Sequence, residues 1–77
     1  SISPNPGKGV FTLSHPENHV FDGQVQIHDM SGKLMTAESR QIHPENLLDL
    51  HFLTSGFYVI KLLAKDKSYS IKLLIIM

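Results

Sequence analysis

Apolar side chains in this chain recur at every second position, a period that builds strands and is incompatible with helices. In Gly9-Val10-Phe11-Thr12-Leu13, Phe11 and Leu13 share one face with Gly9, while Val10 and Thr12 take the other. Phe57 to Ala64 alternates in the same way, with Tyr58, Ile60 and Leu62 together, and Ser68 to Ile76 groups Tyr69, Ile71, Leu73 and Ile75. No window of helical length carries apolar residues at three-and-four spacing, and β-branched and aromatic residues dominate the apolar set. Little or no helix is expected.

The breaks between these runs have turn chemistry. Val25-Gln26-Ile27-His28-Asp29 leads into Met30-Ser31-Gly32-Lys33, where Gly32 supplies the positive φ of a tight turn, and a hairpin partner follows at Leu34 to Ala37. Leu47 to Leu50 is a shorter strand, Ser55-Gly56 breaks it, and Lys65-Asp66-Lys67 is a polar turn into the last strand. His15 to Gly23, with Pro16, Asn18 and Asp22, reads as a loop. Pro4-Asn5-Pro6 fixes φ at two alternate positions and removes two N–H donors, so the approach to the first strand is expected to be stiff and poorly hydrogen-bonded. Six strands are clear. Short antiparallel strands joined by Gly, Pro and Asn turns point to an all-β sandwich of two sheets. The 77 residues form one domain, 1–77, of which 1–8 is linker and approach.

Composition narrows the partners. Seven Lys/Arg balance seven Asp/Glu, so nothing draws the chain to nucleic acid or anionic lipid. Cysteine is absent, which excludes a disulfide framework and a thiolate metal site. The longest unbroken apolar run, Leu73 to Met77, is far short of the about 20 residues of a membrane-crossing helix, so no membrane span is expected. With Ser1 first and no basic or apolar leader, the chain reads as a fragment.

Candidate chemistry dissolves on inspection. Gly7-Lys8-Gly9 and Ser31-Gly32-Lys33 lack the strand, spacing and hydroxyl residue of a phosphate loop. His15 and His19 are four apart, but Pro16, Glu17 and Asn18 between them deny the helical geometry that would aim both at one metal. His28, His43 and His51 are scattered. Ser14, His15 and Asp22 or Asp49 lack a nucleophile elbow, and a small sandwich has little cleft to exclude water. Neither enzyme activity nor a cofactor is expected. An adhesive or carbohydrate-binding module is the alternative, but without Trp a sugar platform would fall to Phe21, Phe52, Phe57 and Tyr69.

Four signals remain, in fixed order: Pro4-Asn5-Pro6 leading to Gly9-Val10-Phe11; Asp29-Met30-Ser31-Gly32-Lys33; Leu53-Thr54-Ser55-Gly56-Phe57-Tyr58; and the apolar strand ending at Met77. That order resembles the type A C-terminal sorting domain of cargo proteins of the Bacteroidetes type IX secretion system, over roughly Ser3 to Ile76. The resemblance implies an immunoglobulin-like antiparallel β-sandwich of about seven short strands at the end of a larger cargo protein. It also implies passage from the periplasm to the cell surface or medium through an outer-membrane translocon, and removal by a sortase-like peptidase. By the same resemblance, Asn5, Pro6 and Gly9 open the domain, Gly32, Gly56 and Tyr58 are scaffold, and Lys72, Leu73, Leu74, Ile75, Ile76 and Met77 are read by the export machinery. The chain departs from the family in having Phe57 where an aliphatic residue is commoner, His28 where Tyr or Phe is usual, and Ile75-Ile76-Met77 where a basic residue commonly stands near the end.

Overall fold

The computed structural model of the chain describes residues 1–5, 7–16 and 18–76. Among these, seven strands and no helix are present: β1 (Ile2–Ser3), β2 (Val10–Ser14), β3 (Phe21–Asp29), β4 (Leu34–Ile42), β5 (Glu45–Asp49), β6 (Gly56–Leu63) and β7 (Ser68–Ile75). They form a three-stranded sheet, β1-β2-β5, and a four-stranded sheet, β4-β3-β6-β7, with every strand-to-strand pairing antiparallel. This is the layout of an immunoglobulin-like sandwich, with the fourth strand carried on the sheet of the third, sixth and seventh.

The alternation read from the sequence is the alternation of burial. Phe11 and Leu13 of β2, Val25 and Ile27 of β3, Tyr58, Ile60 and Leu62 of β6, and Leu73 and Ile75 of β7 all lie in the core. Tyr69 and Ile71 pack against it only partly buried. Leu53 closes one end.

Three boundaries differ from the sequence reading. Strand β1 was not expected; at two residues it is too short to show a period, and only its pairing, Ile2 with Leu13 and Ser3 with Thr12, makes it a strand. The expected loop from His15 to Gly23 ends early, because β4 runs on to Ile42 and offers Phe21, Asp22 and Gly23 the partners Ile42, Gln41 and Arg40. The hairpin partner is therefore longer than Leu34 to Ala37. Its middle, Glu38-Ser39-Arg40-Gln41, is polar on both faces, which hid it from a reading based on apolar alternation.

Two turns and one corner hold the strands in register. Between β3 and β4, the Asp29 carboxylate accepts bonds from the Ser31 hydroxyl (2.7 Å) and the amides of Ser31 and Lys33 (both 2.9 Å), while Gly32 takes φ +91°. The Ser31 hydroxyl, followed by the Lys33 amide, holds this carboxyl below the usual carboxylate range. At the start of β6, Gly56 takes φ +151°, with no crowding around it: the freedom it supplies is conformational. Two residues on, the Tyr58 ring is buried and its hydroxyl donates to the Thr54 carbonyl at 2.7 Å. A tyrosine bonding back to the backbone at this corner is a recurring device of immunoglobulin-like sandwiches.

A buried amide not singled out in the sequence pins the opposite corner. Asn46 accepts from the His43 amide (2.9 Å) and donates to the carbonyls of His43 (2.8 Å) and Leu13 (3.2 Å), joining the β4–β5 connection to β2. All three contacts are with backbone, so no sequence pattern announces them.

Replacing Gly56 with Val is expected to destabilise the domain by about 1–3 kcal/mol, since a β-branched residue is strained at that φ. A denaturant melt measures it; an unchanged midpoint would show that position 56 does not need glycine.

Candidate functional site

Strand β7 is paired along its whole length with β6, from Ser68 opposite Leu63 to Ile75 opposite Gly56. The pleat divides its apolar end in two. Leu73 and Ile75 are 0% and 1% exposed, in the core, whereas Leu74 is half-buried and Ile76 is 46% exposed on the outer side. Phe57 of β6 stands directly opposite Leu74 and is 51% exposed; Val59, two residues on along the same face, is opposite Lys72. Phe57, Val59, Leu74 and Ile76 thus form an apolar surface at the C-terminal end of the outer sheet, beside the cation of Lys72. Its outward apolar character has no role in closing the core.

The other edge of β7 is occupied by the beginning of the chain. Gly7 forms a parallel bridge with Ile75: its amide donates to the Leu74 carbonyl (3.1 Å) and its carbonyl accepts from the Ile76 amide (2.8 Å). Two residues earlier, the Asn5 side chain takes over. Its Nδ2 donates to the Lys72 carbonyl (3.0 Å) and its Oδ1 accepts from the Leu74 amide (3.1 Å). These are the two groups that a parallel strand residue opposite Leu73 would bond, so the primary amide stands in for a peptide group. The expectation of a poorly hydrogen-bonded approach is thereby corrected: Pro4 brings no donor, but an asparagine side chain and the Gly7 backbone supply two rungs. Pro6 lies outside the described residues, as does Met77.

The residues singled out in the sequence therefore fall into two groups. Asn5 meets Lys72 and Leu74 across 67 and 69 positions of sequence. Gly9 is placed elsewhere: its carbonyl accepts from the Leu50 amide (2.7 Å), and the exposed His51 ring lies over it, so that a β-carbon there would require the ring to move. Gly32 sets the β3–β4 turn, while Gly56 and Tyr58, at the corner that starts β6, pair with Ile75 and Leu73 on either side of Phe57. Gly7, which completes the bridge, was missed as a site residue, because the signal it carries reads as ordinary turn chemistry.

Among the described residues, no three His, Asp or Glu side chains converge as a metal site would require. His15 packs against the rings of Phe21 (5.1 Å between centroids) and Tyr69 (6.3 Å), and the Lys67 ammonium lies 5.2 Å from the Phe21 ring centre. His51 bonds Asp49 at 2.6 Å, and the His51 amide, then its ring, hold that carboxyl below the usual range. His28 bonds Gln26 (3.1 Å) and the Gly32 carbonyl (3.4 Å). Between β4 and β5 a cleft of about 300 Å³ opens beside Leu47 and Phe52. The aromatic residues considered for a sugar platform are dispersed: Phe52 lines that cleft, Phe57 faces Leu74, and Phe21 lies under Lys67.

A seven-stranded sandwich, with its chain opening bonded to its final strand, carries the four motifs at its opening, two of its turns and its last strand. A family model described as the secretion system C-terminal sorting domain matches residues 1–76. The chain belongs to this family. A sorting domain is a cargo tail of the type IX secretion system, bound for the cell surface or the medium. The match runs from before Asn5 to Ile76, so the strap and the terminal strand both lie within it. Comparison with curated proteins gave no match. No helix in the described residues is long and apolar enough to cross a membrane.

The two faces of the sorting domain's last strand are separable by substitution. Leu73→Thr with Ile75→Thr is expected to unfold the domain, since each removes buried apolar volume at about 2–5 kcal/mol, against a total of roughly 4–11 kcal/mol for a domain this size. Leu74→Thr with Ile76→Thr keeps strand propensity and is expected to leave the thermal midpoint within a few degrees. Equal loss in both double variants would show that the outer face is also structural.

Proposed function

We infer that this domain is the signal by which a larger protein, of which it is covalently a part, is taken from the periplasm through the type IX outer-membrane translocon. A sortase-like surface peptidase then removes the domain. The observation that carries the reading is the outer face of β7. Leu74 and Ile76, with Phe57 opposite, present apolar side chains that the fold itself does not use, at the terminal segment of a chain that belongs to the sorting family. Apolar surface of this kind on a small domain is characteristic of an interaction site. Lys72 and the strand end, Leu73 to Met77, are then the recognition segment, with Leu73 and Ile75 serving it indirectly by holding the strand on the core. Asn5, Pro6 and Gly9 mark the opening of the domain, downstream of the point at which cargo is released.

The test is a fusion of residues 1–77 behind a fluorescent reporter with a periplasmic signal peptide, expressed in a type IX-competent host. The reporter is expected at the cell surface or in the medium, without the attached domain. The Leu74→Thr, Ile76→Thr version is expected to remain folded in the periplasm. Retention of the parent fusion, intact and folded, would contradict the sorting function; export of the double variant at the parent's rate would remove the outer face from it.

A further inference from the structure

Asn5 and Gly7 cover the outer edge of the terminal strand from Lys72 to Ile76. A sheet edge offers a row of unpaired N–H and C=O groups, and proteins guard such edges when nothing is meant to bind there. The two edges of the four-stranded sheet are guarded differently. On β4, the core-side face carries Thr36, Glu38 and Arg40, in register with Ile27, Val25 and Gly23 of β3, and inward charges of this kind discourage pairing. On β7 the core-side residues are Tyr69, Ile71, Leu73 and Ile75, all apolar, so its edge has no such protection. Its protection is the strap, with four hydrogen bonds to Lys72, Leu74 and Ile76.

The strap is a weak strand. It makes two rungs, one of them through a side chain, where β6 pairs β7 over eight residues. The Asn5 bonds are exposed to water, which competes for both partners. Pro4 has no N–H with which to extend the ladder. A ladder of only two rungs, one of them exposed to water, belongs to the low-stability end of a structure, where local opening precedes global unfolding.

We propose that the Lys72–Ile76 edge of β7 is a strand-addition site for an extended segment of the export machinery, and that the strap is its resident occupant and must leave before that segment enters. The proposal rests on the sorting function and specifies how its recognition strand is reached. A partner strand entering here bonds Lys72 O, Leu74 N, Leu74 O and Ile76 N in place of Asn5 and Gly7. It also brings its own side chains beside Leu74 and Ile76, so backbone bonds provide affinity and the apolar outer face provides fit.

Hydrogen exchange on the full chain tests the occupant. Asn5→Ala is expected to speed exchange of the Leu74 and Ile76 amides by roughly 5–30-fold, while Leu73 and Ile75, which bond toward β6, stay protected. Unchanged rates at Leu74 and Ile76 would overturn the strap, and loss of the folded state would overturn the gate, since an occupant whose release unfolds the domain cannot be exchanged for another. Export of the reporter fusion tests the gate. The Asn5→Ala fusion is expected to cross at least as fast as the parent. Because the chain has no cysteine of its own, Asn5→Cys with Ser70→Cys, on the same strand two residues ahead of the recognition segment, can be joined by a short bis-maleimide. The joined form is expected to stay in the periplasm and the unjoined form to cross. Equal export of joined and unjoined forms, or slower export of a folded Asn5→Ala fusion, would overturn the gate while leaving sorting intact. Failure of the parent fusion to cross would instead overturn sorting and the gate together, with the exchange result still deciding the strap.

Discussion

The pleat of the last strand is the constraint on which the rest depends. Because side chains alternate across a strand, β7 can give Leu73 and Ile75 to the core only by turning Leu74 and Ile76 to the outside. A strand apolar on both faces is normally covered on both faces. Here one face is covered by the opposite sheet and the other is left with Phe57 and Val59 as its neighbours, so apolar surface stays exposed along this strand. Under the proposed reading, alternation lets one strand both complete the sandwich and present the signal, and the core decides which side chains are presented.

The second consequence concerns the two ends of the chain. Residues 5 and 7 bond to residues 72, 74 and 76, so the connection from β1 to β2 touches the edge of the strand proposed as the signal. Asparagine suits this position for a chemical reason. Its side-chain amide carries a donor nitrogen and an acceptor oxygen in the arrangement of a peptide group, so it can bond a strand edge in place of backbone. Aspartate would set an oxygen against the Lys72 carbonyl and has no N–H to offer it. The prolines, read in the sequence as stiffening, thus leave the side chain between them as the bonding element.

What could be read in advance follows from which interactions leave a periodic trace. The faces of β2, β6 and β7 were legible because burial of every second residue writes itself into the sequence, and the turn at Gly32 and the corner at Gly56 and Tyr58 were legible because positive φ and a half-polar ring each favour particular residue types. Strand β1 was not, since two residues have no period. The start of β3 and the polar middle of β4 were not, because Phe21 to Gly23 become strand through their partners in β4, while Glu38 to Gln41 have no apolar face to announce them. Asn46 and Asn5 escaped for a shared reason: each is a single amide bonding distant backbone, a contact that depends on tertiary placement alone. The motifs named Asn5 and the terminal strand separately; only the fold shows that they touch.

The claim that the C-terminal end of β7 is the surface read during export is tested most directly by site-specific photocrosslinking in a type IX-competent host. A photoreactive residue at position 76, on the outer face, and another at position 47, on the opposite side of the sandwich beside the β4–β5 cleft, would each be carried by a reporter fusion. Irradiation during export should join position 76 to an outer-membrane component of the export machinery and leave position 47 unjoined. Crosslinking from position 47 with none from position 76 would place recognition on the other side of the domain and contradict the account.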